Sequence, residues 1–138
     1  MSDTTAIGLN VAKEMLTEEL IDALSGSVGS TTFGAFMGQL ATDTVFGRIW
    51  ARPGLARRER SLVTLGILIA LRQSEELKVH TLAALKNGCS IRELEETIYQ
   101  ACVYAGFPAA AAASAVVSST LCEHGYIGGE EGAGKPVP

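Results

Sequence analysis

Residues 57–71 most restrict what this chain can become. From Leu62 to Leu71 almost every side chain is apolar, with Leu62, Val63, Leu65, Ile67, Leu68 and Ile69 in close succession. A helix built on them has no polar face, so it belongs at the centre of a core or inside an oligomer. Thr64 interrupts the run, which falls well short of the roughly 20 apolar residues that span a bilayer. The alanine-rich run from Phe107 to Val117 is also too short. The opening Met-Ser-Asp-Thr-Thr lacks the basic segment and apolar run of a signal peptide. A soluble, cytoplasmic protein with no membrane partner is expected.

The remaining pattern is helical too. Hydrophobic residues make up 47% of the 138 residues and aromatics only 6%, a balance that favours closely packed helices over a sheet. Leu9, Ala12, Leu16, Leu20 and Leu24 recur at helical spacing and predict a first helix over 7–24. A second is predicted over 30–49, where Gly34, Gly38 and Gly47 suit close helix contact. Trp50 to Leu55 is a loop with a Pro-Gly turn signal. The apolar helix follows over 57–71, and a fourth over 75–87 with Ser74 as its cap and Asn87-Gly88 as its stop. Ser90-Ile91-Arg92-Glu93 is a capping box opening a fifth helix that ends near Tyr104, before Gly106. Pro108 suits the first turn of a sixth, reaching about Glu123. The expectation is one all-α domain over 1–125, a small bundle of about six helices, with a flexible Gly/Pro-rich tail over 126–138.

Charge and cysteine content narrow the function. A net charge of −4 argues against a nucleic-acid partner, which calls for a basic surface. Cys89, Cys102 and Cys122 form no C-x-x-C pair, so neither a disulfide framework nor a zinc site is indicated. Two histidines, His80 and His124, are too few for a typical histidine-based metal centre, and no metal is expected.

Three places can carry chemistry. Glu76 and His80 stand four apart, on one helical face that also takes Asn87. A carboxylate beside an imidazole raises its pKa and fixes its orientation; the same pair could equally be a solvated face. Arg48, Arg52, Arg57, Arg58 and Arg60 crowd thirteen positions of an acidic chain. Guanidinium matches carboxylate bidentately, so the cluster suits an anionic substrate or, alternatively, salt bridges between subunits. Glu59, flanked by Arg58 and Arg60, could donate a proton, orient a histidine or complement the helix dipole. Strict pairing about the turn at Arg72-Gln73 sets His80 opposite Leu65 or Gly66, which leaves a direct contact with Glu59 open. Trp50 and Phe46 could wall a pocket or simply pack, and His124 reads as a helix-terminal group.

The segments Phe46 to Leu55, Arg60 to Leu65, Glu76 to His80, Ala84 to Gly88 and Gln100 to Ala110 together resemble the γ-carboxymuconolactone decarboxylases. The likeness covers about residues 33–125. It implies an all-helical subunit in a ring, a homo-oligomer of three or six copies, with the active site near a subunit interface. It also implies a carboxy-lyase of aromatic-compound catabolism acting on a small anionic lactone acid. A related branch, the alkylhydroperoxidase-like proteins, carries C-x-x-C-x-x-x-H. Here Gln73 and Glu76 stand at the cysteine positions, so thiol exchange cannot run. The same alignment puts Ser61, rather than Glu59, at that branch's upstream glutamate.

The family substrate is its own electron sink, so no cofactor is needed. Arg48, Arg52 and Arg58 would hold carboxylates, with Trp50 and Asn87 lining the site. His80 would donate to the growing oxyanion. Glu76 would orient His80 or return the proton, with Glu59 as competing acid. A relative running a cyclase, isomerase or dehydratase reaction is the enzymatic alternative, and a non-catalytic binding or assembly module the other.

Overall fold

A computed structural model describes residues 1–128, and among them every regular element is helical. The elements are α1 (Asp3–Met15), α2 (Glu18–Ser27), α3 (Ala35–Leu40), a π-helix (Ala41–Trp50), α4 (Arg57–Ala70), α5 (Ser74–Lys86), α6 (Ile91–Ala105) and α7 (Phe107–Glu123). The all-α expectation holds, with more elements than the six predicted. No helix of the described residues is long and apolar enough to cross a membrane. Residues 129–138, most of the predicted tail, lie outside the described residues. The chain forms two compact units, Met1–Arg57 and the part from Arg58 onward.

In the first unit the single predicted helix over 7–24 is two. It begins earlier, where the Ser2 hydroxyl accepts from the Thr5 amide at 3.1 Å. It breaks at Leu16 and Thr17, both extended, and restarts with Glu18 and Glu19 in the favourable first turn of α2. The apolar spacing runs straight across that break, so periodicity could not register it. The helix predicted over 30–49 starts only at Ala35, after Gly34 at φ +78°, and from Ala41 widens into a π-helix. Two of its three glycines make the close contacts expected. A Cβ on Gly38 would lie 2.2 Å from Ser27 Oγ, and one on Gly47 would lie 2.5 Å from the Thr4 carbonyl oxygen. Gly34 is instead a turn residue in open space. Gly8 makes the matching approach from α1, so α1 and the π-helix meet backbone to backbone. Val11, Ala12, Met15, Phe46 and Trp50 are buried in this unit.

In the second unit α4 and α5 are joined by a turn in which Arg72 takes φ 56°. Ser74 does not cap α5 but is its first helical residue, with Gln73 in the cap position. The predicted capping box of α6 is present: Ser90 Oγ accepts from the Glu93 amide at 3.1 Å, and Glu93 Oε1 from the Ser90 amide at 3.0 Å. Gly106 at φ +99° separates α6 from α7. The core takes Leu65 and Ile69 from α4, Leu77 and Ala84 from α5, Leu94 and Ile98 from α6, and Ala110, Ala113, Val117 and Leu121 from α7. Alanine on α5 and α7 lets those helices approach closely. The apolar α4 buries Leu65 and Ile69 but leaves Val63 and Ile67 about half exposed.

Candidate active site

The second unit holds the histidine. His80 projects from α5 between buried Leu77, Thr81, Ala83 and Ala84 and is 9% exposed. Its Nε2 lies 3.8 Å from Glu76 Oε2, an ion-pair distance longer than a hydrogen bond, and the glutamate side chain is mostly in solvent. The predicted one-face pairing is therefore formed. The predicted rise in pKa is not. Burial lowers the ring's pKa below 6.5 and outweighs the opposing pull of Glu76. At neutral pH the ring is an uncharged imidazole, able to donate from one nitrogen and accept at the other.

Seven residues on, Asn87 ends α5. Its Nδ2 donates to Ser61 Oγ at 3.0 Å, and Ser61 is fully buried on α4. That contact sets the register of the two helices and shifts it from the strict pairing about the turn. Counted from that bond, Glu59 stands nine residues from the level of His80, roughly 13 Å along the helix axes at about 1.5 Å per residue. Glu59 instead accepts from Arg58 Nη1 at 3.0 Å. Arg58 also pairs with Glu93 at the start of α6, and Cys89 Sγ donates to the Arg58 carbonyl at 3.4 Å. Burial pushes the Cys89 thiol up, which keeps it protonated and inert. Arg58, Glu59 and Glu93 thus form one charge cluster where α4 and α6 begin.

The other sequence-predicted residues belong to the first unit. Arg48 is exposed on the π-helix, Arg52 is exposed in the loop after it, and Trp50 is buried at 6%. Arg57 pairs with Glu14 of α1, so part of the arginine cluster is engaged within the chain, a pairing distinct from the expected bridges between subunits. Asp43, bonded by Thr5 at 2.6 Å and Gln39 at 2.8 Å, is held below the usual carboxylate range by those bonds. His124 has Nδ1 3.0 Å from the Thr120 carbonyl at the end of α7, a local helix-end contact.

Ser61 and Glu93 were missed as partners of predicted site residues. A lone hydroxyl at the head of an apolar run was the available signal for Ser61. Glu93 fills the capping role its spacing from Ser90 predicts, and its second oxygen serves Arg58.

Residues 37–119 match the family model described as the carboxymuconolactone decarboxylase family. The chain is 36% identical over 115 residues to the nitrosuccinic acid decarboxylase of Metarhizium robertsii, covering 83% of this chain and 78% of that one. It is 38% identical over 108 residues to the 4-carboxymuconolactone decarboxylase of Acinetobacter baylyi, covering 77% and 78%. A helical fold with this kinship defines an enzyme of the carboxy-lyase class. The chain belongs to the carboxymuconolactone decarboxylase family.

Proposed function

We propose that this enzyme decarboxylates a small carboxylic diacid that carries its own electron-withdrawing group, without a cofactor. The C–CO₂ bond breaks, its electron pair moves to an oxygen of the withdrawing group, carbon dioxide leaves, and a proton returns to carbon. The observation that carries this reading is the buried, uncharged His80 beside Glu76. A neutral imidazole N–H fixed in a low-dielectric setting stabilises an oxyanion that develops only in the transition state. Glu76 orients the ring or relays the returning proton; Glu59, held by Arg58, is the competing acid.

Exposed Arg48 and Arg52 are the proposed carboxylate ligands, with Trp50 and Asn87 as supporting residues. Arg58 is the weaker candidate of the three, since Glu59 and Glu93 already meet its charge. The two relatives support the sink argument together. One is named for a lactone acid and the other for a nitro acid, and both groups accept electrons from an adjacent carbon. γ-Carboxymuconolactone, a product of aromatic catabolism, and nitrosuccinate are thus the two substrates to try. We further propose a cytoplasmic enzyme assembled as a homotrimer or homohexamer, supported by the many large apolar side chains left exposed.

The test is trapped carbon dioxide from purified protein given each acid. Release is expected from at least one, and His80→Ala, shown to stay folded, should lower turnover about a hundredfold or more. Unchanged turnover removes His80 from the mechanism, and no release from either acid overturns the substrate class.

A further inference from the structure

Within the second unit α4 and α6 enclose an open cleft of about 660 Å³, floored by Gly66 and Ala101 and walled by Leu62, Val63 and Tyr104. Its carboxylates are Glu93 and Glu96, and no lysine or arginine lines it. Glu93 is already met by Arg58, and nothing in the lining offers a carboxylate a cationic ligand, so the cleft is set apart from the proposed reaction. Tyr104 is 85% exposed beside it.

The first unit carries a surface of matching form. Gly38 presses α3 onto Ser27 of α2, and Gln39 is engaged by Gly29 and Asp43. That fixes the inner side of the segment Phe33–Leu40. Its outer side presents Phe33, wholly exposed, Phe36 at 69%, Met37 at 71% and Leu40 at 41%. Phe36, Met37 and Leu40 lie on α3, and Phe33 precedes them in the turn at Gly34, so the segment offers a run of apolar anchors to a groove. The segment has no charged residue, so seating it buries no charge against the acidic rim.

We propose that Phe33–Leu40 of one copy docks into the α4–α6 cleft of a second copy. This deepens the assembly proposed above and rests on it. Aromatic side chains bury about 150–250 Å² each, so two phenylalanines with Met37 and Leu40 cover about 500 Å². Each copy contributes one segment and one cleft. Each such contact therefore buries about 1,000 Å² over its two faces, the lower bound for a specific interface, and each copy makes two of them. The contact joins two different surfaces, so it builds a ring when the rotation from copy to copy closes.

The experiment uses the full chain with a photoreactive benzophenone amino acid at position 36, mixed from nitrogen-14 and nitrogen-15 preparations. Illumination should yield adducts joining light to heavy chains, with the partner peptide drawn from α4 or α6. Mass by light scattering is read in parallel. Phe36→Asp on the segment and Gly66→Leu in the cleft should each raise the concentration at which the assembly dissociates by tenfold or more. Gly66 has open space around its Cα, so leucine there fills the cleft without disturbing the helix, and circular dichroism confirms folding. An assembly whose adducts map elsewhere, or only within one chain, overturns the docking and leaves the assembly standing. A monomer at all concentrations overturns both.

Discussion

Gly8→Ala is the sharpest test of how the first unit holds together. A Cβ at this position would lie 1.9 Å from the Thr42 carbonyl oxygen and 2.9 Å from its carbon. Ordinary contact begins near 3.4 Å, so α1 and the π-helix must separate by about 1.5 Å, or the carbonyl must tilt out of its helix. Both obstacles are backbone, with no flexible side chain to yield. Overpacking a tight contact typically costs about 1–3 kcal/mol, and a rigid backbone clash belongs at or above the upper end. Against this, alanine is about 1 kcal/mol better than glycine in a helix interior. The net expectation is a loss of about 2 kcal/mol or more. For a unit of this size that lowers the melting temperature by roughly 10 °C, taking about 4–8 °C per kcal/mol. The control is Gly26→Ala in α2, where nothing lies within 4 Å and the helix propensity gain should appear alone. Thermal and urea melts of both variants decide it. A Gly8→Ala protein melting at or above the parent refutes the close-approach reasoning.

His80 makes folding depend on pH. Its pKa in the fold lies below the unfolded value of 6.5, so the folded state binds fewer protons between the two. Stability is then complete above about pH 6.5 and falls as pH drops through the lowered value; denaturant midpoints at pH 7.5 and 5 should show the loss, and His80→Asn should reduce it. In kinetics, kcat/KM should hold steady from pH 7 to 8 and decline on acidification, whereas activity that grows as the ring protonates would contradict a neutral donor. Ser90→Ala should cost about 1 kcal/mol through the lost cap. Glu93→Gln keeps the capping box and breaks only the half-exposed pair with Arg58, so its urea midpoint should move by less than about 1 kcal/mol. Arg48→Lys and Arg52→Lys should raise KM for the diacid about tenfold or more through lost bidentate bonds, and a KM unchanged in both would remove them from substrate binding.

The parts legible in the sequence were those governed by local chemistry. The capping box at Ser90, the stops at Gly88 and Gly106, and the bounds of α4, α6 and α7 all depend on residues a few positions apart. The Glu76–His80 pairing was readable for the same reason, since both lie on one helix turn. The ring's protonation was not, because it is set by burial against distant parts of the unit rather than by the neighbouring carboxylate. Likewise, the Asn87–Ser61 bond spans 26 positions and fixes a register that counting from the turn misjudges. The break at Leu16 and the wide helix after Leu40 escaped because apolar spacing records which side faces inward, not how the backbone closes its hydrogen bonds. The arginine cluster was visible as a composition anomaly, but only coordinates divide it into salt-bridged Arg57 and Arg58 and exposed Arg48 and Arg52.

The wide turns between Ala41 and Trp50 also leave this chain an unusual freedom. Helices that close five residues back instead of four behave as ordinary ones carrying surplus backbone. Deleting one residue there can be absorbed by tightening, which keeps Phe46 and Trp50 on their buried side. Among the described residues of the first unit, this stretch is thus the one place where the chain can lose a residue and still present the same inner side to α1.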